Sequence, residues 1–414
     1  MRLELDIARR IARNPAGGSR SVMERIAVAS VALSVATLIL SLAIIAGFKR
    51  TVSAKMSVFS AHVVVTDPRN VGAVDAVPIR LPEALDSLMA ARPGFRAAAR
   101  YALRGGIIRT DEAVEGVMLK GVDAAYDLTP FGEWLVEGEL PRIGDSIRTK
   151  DLLLSRRLAD ELRIGVGDRI ELLFIEADAR PYRDRFKVSG LYASGMDELD
   201  RTTLLTDLRN VQRIALWDAS EVSGCEILID RLDDAPAFAA GLDRALLYDD
   251  EERFDNLAAF SVQELYPQIF DWLKAHDVNA VVILVIMLAV AFFNMSAALL
   301  TVVLERIRMI GVLKALGMTN RSLRRLFLYR AAIIALRGLL WGNVVGLLLC
   351  GLQARFGWVK LDAEGYLLST VPIAVEAGWW CLLNAGFAAA IFGLMLLPAS
   401  VVATVKPDET MRYE

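Results

Sequence analysis

Apolar residues fall into four long stretches separated by segments rich in charge. Residues 27–48 and 278–304 carry no charged side chain, residues 331–352 are interrupted only by Arg337, and residues 373–405 hold Glu376 near their start. Each reaches the roughly 20 residues that a helix needs to cross a bilayer. Nothing between Lys49 and Asp277 attains that length without a charge. The pattern predicts membrane-crossing helices at 24–48, 277–304, 331–352 and 373–405, with a large domain between the first two at 49–276. The first run follows arginines, and Ser41-Leu42-Ala43 offers a weak cleavage pattern. Its apolar core outruns the roughly 7–15 residues of a signal sequence, so an uncleaved helix is expected.

Basic residues place the ends. Arg2, Arg9, Arg10, Arg13, Arg20 and Arg25 precede the first run. Arg306, Arg308, Lys314, Arg321, Arg324, Arg325 and Arg330 lie between the second and third, with Glu305 as the only acid. The loop 353–372 balances Arg355 and Lys360 with Asp362 and Glu364. Lys and Arg in short loops stay on the cytoplasmic side. Residues 1–23, 305–330 and the tail 406–414 are therefore expected inside, and 49–276 and 353–372 outside. Leu3, Leu5, Ile7 and Ile11 alternate with arginines up to a break at 14–18. That fits a helix lying on the inner leaflet, in contact with membrane lipids, and equally a frayed basic tail.

Composition agrees with a mixed protein. A hydrophobic fraction of 55% and a mean hydropathy of +0.40 are high for a soluble domain and low for a bare membrane bundle. A net charge of −3 gives no ground for nucleic-acid binding. Within 49–276, the runs 62–66, 106–109, 114–119, 169–175, 185–192 and 226–229 read as strands, and 82–91, 155–162 and 235–247 as helices. Pro82 suits a first helical position. The mixture predicts an α+β domain. No GxSxG, HExxH or metal-spaced cluster occurs, and His62 has no sequence partner, so no enzyme is indicated. The run 249–252 reads as a solvated acidic surface, and Cys225, Cys350 and Cys381 as small buried apolar residues.

The segment after the second run holds more information. Apolar residues at 304, 307, 310, 313 and 316 continue the helix, Gly317 suits a left-handed helix end, and Thr319 or Asn320 can cap a new helix. That helix, about 321–327, puts Leu323, Leu326 and Phe327 on one side, Arg324 and Arg325 on the other, and runs into the third span. Such a hairpin is either a docking element for a partner's groove or ordinary basic decoration of an inner loop.

The same segment carries a resemblance. Glu305-Arg306, then Met309-Ile310-Gly311-Val312-Leu313-Lys314-Ala315-Leu316-Gly317-Met318, resembles the "ER…IGxLKALG" signature of the MacB/FtsX/LolC-E superfamily of ABC permeases. Pro398-Ala399 and the ending Lys406-Pro407-Asp408-Glu409-Thr410-Met411-Arg412-Tyr413-Glu414 resemble that family's C-terminus. Gly47-Phe48, Ala61-His62, Tyr266 to Leu273, Asp277-Val278-Asn279 and Phe293-Asn294-Met295 are similar to its lipoprotein-releasing branch. Leu154-Ser155, Leu158-Ala159, Gly167-Asp168, Val188-Ser189-Gly190, Ser194-Gly195, Glu198 and Asp200 resemble its periplasmic core.

The resemblance implies a multi-pass inner-membrane α-helical permease with four transmembrane helices, a large α+β periplasmic domain of MacB-like type, and both termini cytoplasmic. It implies a second permease copy or a homologue, and a dimer of P-loop ATPase subunits that holds ATP and Mg. This chain lacks GxxxxGK[ST] and is expected to bind no cofactor itself. The implied cargo is a lipoprotein, handed to a periplasmic carrier protein. By the same resemblance Glu305, Gly311, Lys314, Gly317, Arg321 and Arg324 couple to the ATPase. Ile39, Leu42, Ile45, Met287, Val290 and Phe293 face the substrate, or else serve lipid contact and helix packing. Asn294 either touches substrate or makes an interhelical hydrogen bond. Arg337 either has a functional role or reaches back to the cytoplasmic interface. Carrier-binding relatives have a projecting loop where this chain has the short segment 176–184. Competing expectations are a MacB-like exporter of peptides or drugs, an FtsX-like mechanotransmission subunit, and a sensor with an outer ligand-binding domain.

Overall fold

The computed structural model describes residues 18–110, 113–144, 147–175, 181–248, 254–305, 307–361, 368 and 370–396; the side chains of 18–23, 175, 181, 276, 277, 299, 302, 305, 307, 308 and 315 are outside the description. The amphipathic pattern at 1–17, the acidic run 249–252 and the tail from 397 lie outside the described residues.

In chain order the elements are α1 (Gly18–Ser60), β1 (Val63–Thr66), β2 (Ile79–Arg80), α2 (Glu83–Ala90), β3 (Phe95–Arg109), β4 (Val114–Val122), α3 (Thr129–Glu133), β5 (Leu135–Gly138), β6 (Asp151–Ser155), α4 (Arg156–Leu162), β7 (Arg169–Ile175) and β8 (Pro181–Tyr192). Then come α5 (Asp197–Thr202), β9 (Thr203–Asp207), α6 (Leu208–Ile214), β10 (Glu221–Val222), β11 (Gly224–Ile229), α7 (Ala235–Leu247), β12 (Ala258–Ser261) and α8 (Val262–Leu265). The chain ends on α9 (Pro267–Glu305), α10 (Ile307–Ala315), α11 (Asn320–Phe356) and α12 (Ala377–Leu394). Two compact units form: Arg50–Trp272 with Lys360–Thr370, and Met1–Lys49 with Leu273–Val359 and Val371–Glu414.

The first unit is α+β. Its main sheet runs β12-β1-β11-β3-β4-β9-β6-β8-β5, with β7 paired to β3 and β8. Parallel pairs β4–β9 and β6–β8 sit among antiparallel ones. Strand β3 joins the two halves, pairing with β11 through residues 95–101 and with β4 through 101–109. Only its end, 106–109, was expected. Its first half is Ala- and Arg-rich and has little intrinsic strand preference, so neighbours on both sides impose the extended form. Strands β5, β6, β9 and β12 were likewise not expected; each is only four or five residues long. Leu119, Leu152, Leu154, Phe174, Phe186 and Ile227 are fully buried in the core, each worth about 1.5–3 kcal/mol of transfer free energy. Pro82 does not open α2; it is the extended residue before it, at φ −62° and ψ 145°.

The second unit is helical. Among the described residues four helices, Glu24–Ser60, Pro267–Ala298, Asn320–Phe356 and Ala377–Leu394, are long and apolar enough to cross a membrane. α1 runs on past residue 48 to Ser60. The expected fourth stretch begins differently, because residues 373–376 are not helical. There the extended backbone leans on α1: the Ala374 N–H donates to Ala43 O at 3.0 Å, and a Cβ on Gly47 would lie 2.5 Å from Pro372 O. Gln353 holds the turn, donating to Val359 O and Val371 O and accepting from the Val359 N–H.

Glycines set how closely α1 and α11 approach. Gly338 and Gly342 lie against Val31 and Val35, and a Cβ on Gly342 would stand 2.7 Å from Ala32 O and from Val35 Cβ. Small residues at such a seam let backbones meet where no hydrophobic effect drives association. α11 and α12 are tied by a polar set: the Asn343 amide donates to Asn384 Oδ1 at 2.6 Å, and the Trp380 indole N–H to Asn343 Oδ1 at 2.7 Å. Cys225 and Cys350 are buried as expected, whereas Cys381 is exposed. Gly342→Leu is expected to force α1 and α11 apart, costing roughly 1–3 kcal/mol or more; a thermal unfolding midpoint of the detergent-solubilised chain unchanged from wild type would contradict the close-packed seam.

Candidate functional site

The hairpin between α9 and α11 assembles largely as its residues dictate. Gly317 adopts φ +89°, a conformation that side chains resist. The turn closes with the Gly317 N–H on Lys314 O and the Met318 N–H on Leu313 O. Thr319 caps α11, its side chain accepting from the Ser322 N–H, a contact worth about 1 kcal/mol. Leu323, Leu326 and Phe327 are buried, as is Ile310.

The apolar row at 304, 310, 313 and 316 does not form one face. Leu304 is 59% exposed, Ile310 is fully buried, and Leu316 is 79% exposed. A spacing of three falls short of a 3.6-residue turn, so the row drifts by about 60° per step. Val312 near the end of α10 and Leu316 in the turn just past it, joined by the Leu316 N–H on Val312 O, are both exposed.

The residues expected to couple divide accordingly. Gly311 is buried, Lys314 is half-buried, and Gly317 and Arg321 are exposed. Arg324 is half-buried and donates to Leu396 O at 3.4 Å. The side chain of Glu305 lies outside the described residues. Val312, Leu316, Arg321 and Arg325 are the residues through which the hairpin is seen to expose both apolar and basic side chains.

The six residues expected to face substrate differ in burial. Ile39 is buried against Gly346. Leu42 and Ile45 are partly buried, as is Met287, while Val290 and Phe293 are exposed. Asn294 makes an interhelical bond, its amide donating to Ser30 Oγ at 2.6 Å. Arg337 reaches Glu24 Oε1 at 3.2 Å, and Arg330 reaches Glu24 Oε2 at 3.1 Å.

A second constellation was missed entirely: the end of α1 is anchored in the α+β unit. The last carbonyls of a helix lack intrahelical partners. Here the Tyr126 hydroxyl donates to Val58 O at 2.7 Å, and Lys120 Nζ donates to Phe59 O. Lys120 is itself buried, paired to Glu226 at 2.7 Å and lying over the Tyr126 ring. Burial pushes the Glu226 carboxyl up, and Lys120 opposes that shift. The Phe59 ring stacks among Phe131, Trp134 and Tyr192. One turn earlier, Lys55 donates to Ser194 O beside Asp200. The Asp200 carboxylate accepts from Ser194 Oγ at 2.6 Å and from the Gly195 N–H at 3.2 Å. These are residues of the Ser194-Gly195…Asp200 motif, which the sequence had marked without giving it a job. His62, just past the helix, accepts from the Ile229 N–H at Nδ1, and burial lowers its pKa. Among the described residues no cluster of His, Cys, Asp and Glu is suited to a metal.

Burial raises the Asp200 pKa to about 6, against which the Ser194 and Gly195 donors work. A carboxyl with a raised folded-state pKa favours the folded protein when protonated. Its contribution is complete below the ordinary carboxylate range and is lost as pH rises through about 6. Lowering pH from 7 to 5 is thus expected to narrow the stability gap between wild type and Asp200→Asn, measured by thermal unfolding of the full chain. Parallel pH profiles for the two proteins would refute the assignment.

Residues 26–245 match the MacB-like periplasmic core domain, and residues 281–407 match the FtsX-like permease C-terminal domain. The lipoprotein-releasing system transmembrane protein LolC of Neisseria meningitidis serogroup B is 24% identical over 424 aligned residues, covering 96% of this chain and 95% of that protein. LolE of Haemophilus influenzae is 23% identical, covering 92% of each. Among solved structures, the periplasmic region of MacB from Actinobacillus actinomycetemcomitans covers 50% of this chain and 91% of its own, at 13% identity and a TM-score of 0.33. The core-domain match spans more than half of the chain, which therefore belongs to the family built on the MacB-like periplasmic core domain, joined here to an FtsX-like permease C-terminal domain.

Proposed function

We propose that this chain is the membrane-spanning permease subunit of an ABC transporter that releases lipoproteins from the bacterial inner membrane, driven by a separate ATPase. The hairpin of α10 and the start of α11 carries the reading. Val312, Leu316 and Arg321 are all exposed on it, an apolar and basic set suited to a groove with acidic rims on a partner. Relatives named as lipoprotein-releasing transmembrane proteins align along 92–96% of the chain. On this reading the hairpin and both termini are cytoplasmic, following the basic residues, and the α+β unit is periplasmic.

The partner ATPases bind ATP and Mg, and their closure moves the hairpin. Motion passes along α9 and α1, and the anchoring of α1 at Phe59, Lys55 and Lys120 carries it into the outer unit. A second copy or a homologue completes the pathway. Release of a lipoprotein is uphill by about 0.8 kcal/mol for each acyl CH₂ drawn from the bilayer, so coupled work and a receiving carrier are required. Strands β7 and β8 pair out to Ile175 and Pro181, which are separated by five residues in the chain.

Depletion of this protein in its host, followed by fractionation of inner and outer membranes, is expected to trap mature lipoproteins in the inner membrane. Arg321→Glu, Lys314→Glu or Leu316→Asp should each lower release about tenfold or more while the protein stays in the membrane. Normal sorting on depletion would exclude lipoprotein release and favour a MacB-like exporter or a mechanotransmission role.

A further inference from the structure

Arg337 is the one charge within the third apolar stretch, and neither the hairpin nor the outer anchor uses it. Its Nη1 meets Glu24 Oε1 at 3.2 Å, and its side chain is 55% exposed. Among the described residues this is the bond recorded for it, one of the five N–H donors a guanidinium carries. Glu24 is not Arg337's alone. Its other oxygen takes Arg330 at 3.1 Å, so a single carboxylate serves two guanidiniums two helical turns apart on α11. Glu24 and Arg330 are only 19% and 14% exposed, whereas Arg337 stays accessible. Exposed Arg25 follows Glu24 on α1.

We propose that Arg337, with Arg330 and Glu24, forms a site for the phosphate of an anionic phospholipid headgroup between α1 and α11. An arginine lying against hydrocarbon is costly unless it finds an anion or reaches the interface. Basic pockets between spanning helices on the cytoplasmic side hold anionic headgroups. A phosphate suits a guanidinium because it accepts two parallel N–H bonds. Glu24 has a double part: it holds the two arginines in place, and its charge competes with the lipid. The side of the membrane, and hence which leaflet supplies the lipid, rests on the orientation given under Proposed function.

The test is lipid retention by the purified full chain, read by native mass spectrometry and by thermal unfolding. The probes are phosphatidylglycerol, phosphatidylcholine and inorganic phosphate. Phosphatidylglycerol is expected to be retained and to raise the unfolding midpoint, while phosphatidylcholine and inorganic phosphate are not. Arg337→Gln should cut phosphatidylglycerol retention about fivefold, the effect of one basic residue facing an anionic surface. Glu24→Gln should leave retention intact or increase it, even as helix pairing weakens. Stabilisation by inorganic phosphate alone would overturn the lipid assignment. So would equal retention of the two lipids, or loss on Glu24→Gln matching that on Arg337→Gln, which would leave a helix-pairing ion pair only. Displacement of lipid by a second copy of the chain at Arg337 would also overturn it. None of these readouts depends on lipoprotein release, so the site and the transport function fail or stand separately.

Discussion

The buried pair of Lys120 and Glu226 sets the terms for the α+β unit. Lys120 lies on β4 and Glu226 on β11, the two strands that flank β3, so their bond crosses the centre of the sheet. The same ammonium accepts the load of an unsatisfied helix end by donating to Phe59 O. Neither charge is affordable alone, since removing one partner of a buried pair typically costs about 3–5 kcal/mol. The sheet order, the end point of α1 and the aromatic cluster around Phe59 are thus mutually dependent. An apolar replacement of the pair could pack as well, but it would offer nothing to the helix carbonyl.

The membrane-type unit solves a different problem. Its helices satisfy their own backbone groups, as any segment in hydrocarbon must. Association then rests on shape and on a few polar contacts. Gly338 and Gly342 supply the shape between α1 and α11, while Asn343, Trp380 and Asn384 supply the polar contacts between α11 and α12. Between α1 and α9 the Asn294 amide donates to Ser30 Oγ. Interhelical hydrogen bonds of this kind contribute about 0.6 kcal/mol on average.

Sequence revealed what local chemistry determines. Apolar length marked four helices, because bilayer thickness imposes a minimum that soluble segments rarely meet. Gly317 and Thr319 marked the hairpin, because a left-handed φ and a side-chain cap are local demands. The anchor of α1 was not legible. Lys120 and Glu226 are 106 residues apart, and Lys55 and Ser194 are 139 apart, so nothing short of the folded sheet brings them together. The Ala-rich half of β3 failed for a related reason, since its neighbours rather than its composition make it a strand. The burial of the hairpin's apolar residues was not legible either, because a row of every third residue spirals around a helix.

The unbroken course of α1 has a mechanical consequence. Its 43 residues make a rod of roughly 65 Å, about twelve turns. Within the helical unit Glu24 fixes its rotational angle, and the valines against glycine fix it again two and three turns on. Inserting or deleting one residue between them would rotate everything beyond by about 100° and uncouple those two settings. The stretch from Glu24 to Val35 therefore behaves as a keyed shaft, more sensitive to a change of residue count than to a change of side chain.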